Sequence, residues 1–166
     1  MGCDCHFFVE RWTDSNDYEG PRDLSEERDL RLNQILDESP SHFRWVSADS
    51  WEIETDGFNE YWNTLYEERF YSGRNYSLFS ILADVRGYGE YNAISDPRGI
   101  PKDASFGYKY MCEQWNGDGH SHSYFTLKEL LEYDWTDFPN FKSTLDKMSK
   151  LDTNPSFVRC CFFFDN

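Results

Sequence analysis

The sequence predicts one α+β domain, residues 1–166, in which a mainly antiparallel sheet includes the first and the last strand and helices pack on it. Three observations carry this. Residues 3–12 alternate, placing Cys3, Cys5, Phe7 and Val9 on one face and Asp4, His6, Phe8 and Glu10 on the other. Residues 157–164, Phe-Val-Arg-Cys-Cys-Phe-Phe-Phe, are apolar almost throughout, as in a central strand covered on both faces. Between these ends, apolar residues recur at helical spacing beside capping residues. A chain of 166 residues suits one domain with a real core, and no internal repeat or low-complexity segment divides it.

Taken in order, the first strand is followed by a polar, turn-rich stretch over 13–22. Asp23 and Glu26 then form a carboxylate version of the capping box, which predicts a helix over Leu24–Asp37, ended by Ser39-Pro40. His42 falls in a linker. Residues 43–55 read as one or two short strands before the Asp56-Gly57 turn, and a helix is expected near Asn59–Glu68. Tyr76–Arg86 is the clearest helix: Leu78, Ile81, Leu82 and Val85 share a face, with Asn75 to cap its start and Gly87 its end. A long loop over 94–105 follows, after which Asp103 is expected to cap a helix running towards Trp115. Thr126-x-x-Glu129 is a capping box for a short helix with Leu127, Leu130 and Leu131 inward. Phe138-Pro139 separates it from a helix over about 141–151 with Leu145, Met148 and Leu151 inward.

Composition narrows the function. Aromatic residues make up 19 % of the chain, enough to fill a core and to argue against disorder despite a mean hydropathy of −0.80. The net charge of −15 repels nucleic-acid backbones, so direct nucleic-acid binding is not expected, although an acidic protein can imitate nucleic acid. Five cysteines form no regular framework, which reads as a reducing compartment with mostly buried thiols; Cys3-x-Cys5 is too short for a zinc knuckle. No secretory leader, membrane span or myristoylation pattern is read.

The residues that point to chemistry sit in three places. Asp118, His120 and His122 alternate after a glycine-flanked turn, so on an extended strand they would share a face. Such a cluster suits a divalent metal, or a general base with an orienting carboxylate. Asp4 and His6 offer the same two groups on the first strand. Arg98, between Pro97 and Gly99, could grip a phosphate or carboxylate. His6, His120, Asp4 and Asp118 are therefore the candidate catalytic residues. Arg98, His122, Ser121, Ser123 and Arg74 are candidate ligand contacts, and Asp4, His6 and His120 a candidate metal set.

The chain resembles a family of small, mostly uncharacterised bacteriophage and bacterial proteins. The matching stretches are Met1-Gly-Cys-Asp-Cys-His6, where Cys5 replaces the usual aliphatic residue, then Arg74–Arg86, Ile94–Pro101, Asp118–Ser123 with Thr126–Leu130, and Val158-Arg with Phe164-Asp-Asn166; residues 13–70 contribute little. The resemblance implies a viral or bacterial protein acting in the cytoplasm, the host's if phage-encoded. By analogy with other small phage proteins it implies an antagonist of host defence that destroys or sequesters nucleotide signals. The leading expectation is a hydrolase of a small nucleotide, phosphodiesterase-like, working through a divalent metal or through metal-free acid–base catalysis. A non-enzymatic nucleotide sponge is the alternative, and an acidic mimic of nucleic acid that inhibits a host protein is a third. Self-association into a homo-oligomer is left open.

Overall fold

The computed structural model describes residues 2–14, 20–21 and 43–166; the helix expected over 24–37 and His42 lie outside the described residues. Six strands and four helices follow in chain order among them: β1 (Cys5–Asp14), β2 (Phe43–Ser47), β3 (Trp51–Asp56), β4 (Asn59–Thr64), α1 (Tyr76–Ala83), α2 (Phe106–Gln114), β5 (His120–Thr126), α3 (Leu127–Leu131), α4 (Pro139–Ser149) and β6 (Val158–Phe164). The main sheet is antiparallel with strand order β2-β1-β6-β5, and β3 and β4 form a separate hairpin. The first and last strands are direct neighbours, with Phe7 opposite Phe162 and Val9 opposite Cys160.

β6 is central and all seven of its residues are buried. One face of the sheet, carrying Phe7, Val9, Phe125, Phe162 and Phe164, packs against α1, α3 and α4 through Phe79, Leu82, Leu127, Phe141 and Met148. The opposite face holds a second core of Phe8, Cys161 and Phe163 under Ala104, Tyr108 and Met111. This second face of β1 is therefore a core face as well along most of its length: Phe8 and Glu10 are buried, and Asp4 and His6 at the strand's start are partly covered. A carboxylate survives at Glu10 because it is fully paired. Arg159 Nε donates to Oε1 at 2.5 Å, Ser105 N–H donates to Oε2 at 2.5 Å, and the Cys161 thiol lies 3.2 Å from Oε1. The Arg159 guanidinium also meets Asp103 at 3.0 Å and stacks 4.1 Å from the Trp45 ring.

Local signals account for most of the helices. Asn75 accepts from Leu78 N–H at 3.1 Å and starts α1, although α1 ends at Ala83 rather than Arg86, because Asp84 turns left-handed at φ 56°. Thr126 and Glu129 form the complete capping box of α3, with Leu127 and Leu130 buried but Leu131 52 % exposed, contrary to its expected inward position. α4 starts at Pro139, with Leu145 and Met148 buried and Leu151 partly so. The cap of α2 is Ser105, which accepts from Tyr108 N–H at 3.3 Å; Asp103, expected in that role, is drawn to Arg159 instead.

Residues 59–68 are not a helix. They form β4 and a short 3-10 turn over Tyr66–Glu68, because Gly57 at φ 64° closes a hairpin in which Trp62 pairs with Ile53 and Tyr61 with Glu54. Residues 43–56 give two strands, as expected. All five cysteines are free, with Cys3, Cys160 and Cys161 buried.

Candidate functional site

The alternation of Asp118, His120 and His122 breaks at Ser121. This residue has φ 54°, and the β5–β6 register slips between His120 and Ser123. Two residues on β5 then oppose one on β6, so His120 stays in register with Phe164 while the ring of His122 lies 5.2 Å from that of Phe163. His120 and His122 thus pack on successive residues of β6, Phe164 and Phe163. Asp118 stays behind on an exposed turn, its N–H bonded to Trp115 C=O at 3.1 Å. The three do not form one cluster.

The ends of β1 and β6 supply the partners instead. His6 Nε2 is 2.8 Å from Asp165 Oδ2, and Asp4 N–H donates to Asp165 Oδ1 at 2.9 Å. Asp165 N–H returns a bond to Asp4 C=O at 3.1 Å, so the antiparallel ladder itself holds the carboxylate opposite the imidazole. Burial pushes the Asp165 carboxyl up, but the His6 bond and the Asp4 N–H outweigh it, and its pKa lies below the usual value. The His6 ring stacks on Phe163 at 4.8 Å and meets the tilted Trp115 ring at 4.4 Å. Nε2 is taken by Asp165. If Nε2 carries the proton, Nδ1 is a lone-pair acceptor.

His120 makes its own pair, with Nε2 3.2 Å from Asn166 Oδ1 and Nδ1 3.0 Å from Ser121 Oγ. Burial, and then His120, hold the pKa of His122 below the usual histidine value. Asp4 faces Arg74, with Oδ1 2.6 Å from Nη2 in a pair about half exposed on each side. Asp4, His6 and His120 therefore have separate partners. Among the described residues no group of three or more His, Cys, Asp or Glu could hold a metal ion.

Arg98 binds a carboxylate bidentately, and the carboxylate is the chain's own. Nη1 is 3.0 Å from Glu129 Oε1, Nη2 is 2.6 Å from Oε2, and the guanidinium lies 4.4 Å from the Phe125 ring. The 94–105 loop is stitched along the outer side of β5: Arg98 N–H donates to Ser123 Oγ at 3.0 Å and Gly99 N–H to His122 C=O at 2.8 Å. These contacts blunt the sheet's edge.

A cavity of about 290 Å³ opens beside residues 4–8 of β1. Asn63, Thr64, Tyr66, Arg69 and Tyr71 line it opposite Asp4 and His6. Arg69 is held by Thr64, with Nε 2.9 Å from Oγ1, and lies 5.2 Å from the Tyr66 ring. Sequence reasoning did not single out Asp165 as the partner of His6, nor Trp115, Arg69 or Tyr71. The signal available for Asp165 was its place at the end of a last strand expected in the same sheet as the first. A scan against protein-family models, a search of curated proteins and a search of solved structures each find no match to this chain.

Proposed function

We propose that the protein is a metal-free hydrolase of a small nucleotide, phosphodiesterase-like, with His6 as general base. The observation that carries this reading is the His6–Asp165 pair, a buried-edge imidazole oriented by a carboxylate at 2.8 Å beside a cavity. In the proposed reaction Nδ1 takes a proton from water as it attacks phosphorus, Asp165 stabilises the imidazolium that forms, and as the P–O ester bond breaks the leaving alkoxide takes that proton back, which regenerates neutral His6. Arg69 compensates charge developing on the phosphate oxygens, a role that Arg98 cannot fill while it holds Glu129. Tyr66 offers exposed aromatic surface for a base. About 290 Å³ is at the small end for a ligand pocket, which favours a single nucleotide over a polymer, as does the charge of −15. His120 and Asp118 take no part in this mechanism. The phage-like resemblance directs the proposed substrate class to cyclic or modified nucleotides that signal host defence, met in the host cytoplasm.

The second reading, a sponge that holds the nucleotide intact, rests on the same cavity. Incubation with a panel of cyclic and linear nucleotides, followed by denaturation and chromatography, separates them. Cleaved nucleotide supports the hydrolase, intact nucleotide recovered from the protein supports the sponge, and neither bound nor cleaved nucleotide contradicts both.

A further inference from the structure

We infer that the β3–β4 hairpin is a docking face for a basic protein partner, one that presents Lys and Arg around an apolar spot. The hairpin pairs with no other strand among the described residues, and its base is anchored where the Trp51 ring stacks on Phe8 and Tyr110 Oη accepts from Trp62 N–H at 3.0 Å. Beyond that base it leaves large apolar side chains in water: Ile53 is 55 % exposed and Phe58, at the tip, is fully exposed. Ile53 and Trp62 are cross-strand partners on one face. The other face carries Glu52, Glu54 and Asp56 at alternate positions, about 7 Å apart along an extended strand. From Val46 to Glu68 the sequence holds no Lys or Arg.

Phe58 at the tip adjoins the acidic face, with Ile53 on the opposite one, and an exposed apolar spot beside charge of one sign is the anatomy of an interface. The sign selects the partner. A second copy of this chain would bring the same carboxylates face to face under a net charge of −15 on each, and nucleic acid would be repelled for the same reason. A basic protein surface satisfies both the carboxylates and the apolar tip.

The test uses the full chain and a synthetic twelve-residue peptide alternating Lys with Val, with a Glu–Val peptide as control, followed by titration and by amide exchange. The Lys–Val peptide is expected to protect residues 51–64. Its affinity should fall about tenfold in Phe58→Ser, and about tenfold again in the triple variant Glu52→Gln, Glu54→Gln, Asp56→Asn, as for central and rim contacts of one interface. All four positions are solvent-facing or partly so, and unchanged melting temperatures will show that the variants fold. Protection elsewhere overturns the inference. So does loss in the charge variant with Phe58→Ser unaffected, which indicates diffuse attraction, and so does a concentration-dependent dimer abolished by Phe58→Ser.

Discussion

Asp165 Oδ2 lies 2.8 Å from His6 Nε2, joining the end of the last strand to the start of the first. The same carboxylate takes the Asp4 N–H at 2.9 Å, so one side chain both closes the ladder and fixes the imidazole. Because the Asp165 pKa is lowered in the folded state, its stabilisation is present above the unfolded carboxylate value and is lost as pH falls through the folded one. Asp165→Asn should leave stability at pH 3 less changed than at pH 7. Urea midpoints at the two pH values check this, and equal losses at both would mean the charge contributes nothing.

Asp49 gives the opposite pH dependence. Burial, only partly offset by the Val9 N–H bond at 3.0 Å, raises its pKa to about 7, and Oδ1 has no partner among the described residues. The folded state therefore binds the proton more tightly than the unfolded chain. Its stabilisation is full below about pH 4 and is lost as pH rises through 7, by roughly 2 kcal/mol between pH 5 and 7. Asp49→Asn should remove that decline. The lowered pKa of His122 acts in the other direction, favouring the folded state above about pH 6.5, so the variant should gain slightly over the same interval. Denaturant titrations across pH 4.5–8 measure both slopes, and an unchanged slope in Asp49→Asn would contradict the assignment.

The Glu10–Arg159 pair, with the two side chains 0 % and 6 % exposed, should be costly to break and cheap to replace whole. Glu10→Gln is expected to cost up to roughly 3–5 kcal/mol, because it leaves the buried Arg159 charge only the exposed Asp103 as an ionic partner, and Glu10→Met with Arg159→Leu appreciably less. Urea unfolding of the three proteins decides it; a double variant worse than the single one would mean that the pair is itself a net source of stability.

The bulge at Ser121 makes a backbone prediction. At φ 54°, Ser121→Gly should be neutral or stabilising, while Ser121→Val should cost about 1–3 kcal/mol. Thermal melts compare them, and equal tolerance of Val would argue against the left-handed conformation.

What could be read from the sequence was local or strongly periodic. The Thr126–Glu129 capping box, the Asn75 cap and the uninterrupted apolar run of β6 each announce themselves within a few residues, and each is present. What could not be read depends on non-local register. One left-handed residue, Ser121, shifts the register between His120 and Ser123, and only the β1–β6 pairing brings Asp165 to His6. Tyr61 and Trp62 fit a helical pattern until Gly57 folds them against β3. Arg98 looked available because Glu129, its partner, lies 31 residues further along the chain.

The central claim is that His6 and Asp165 act as one catalytic unit, and a double-mutant cycle on nucleotide turnover tests it most directly. His6→Ala and Asp165→Asn should each lower kcat by about 10²–10⁴, and the double variant should be little worse than His6→Ala alone, because the carboxylate works only through the imidazole. All three must first show cooperative melting, so that lost turnover is not lost fold. Full turnover by well-folded His6→Ala protein, or losses that simply multiply in the double variant, would contradict the account.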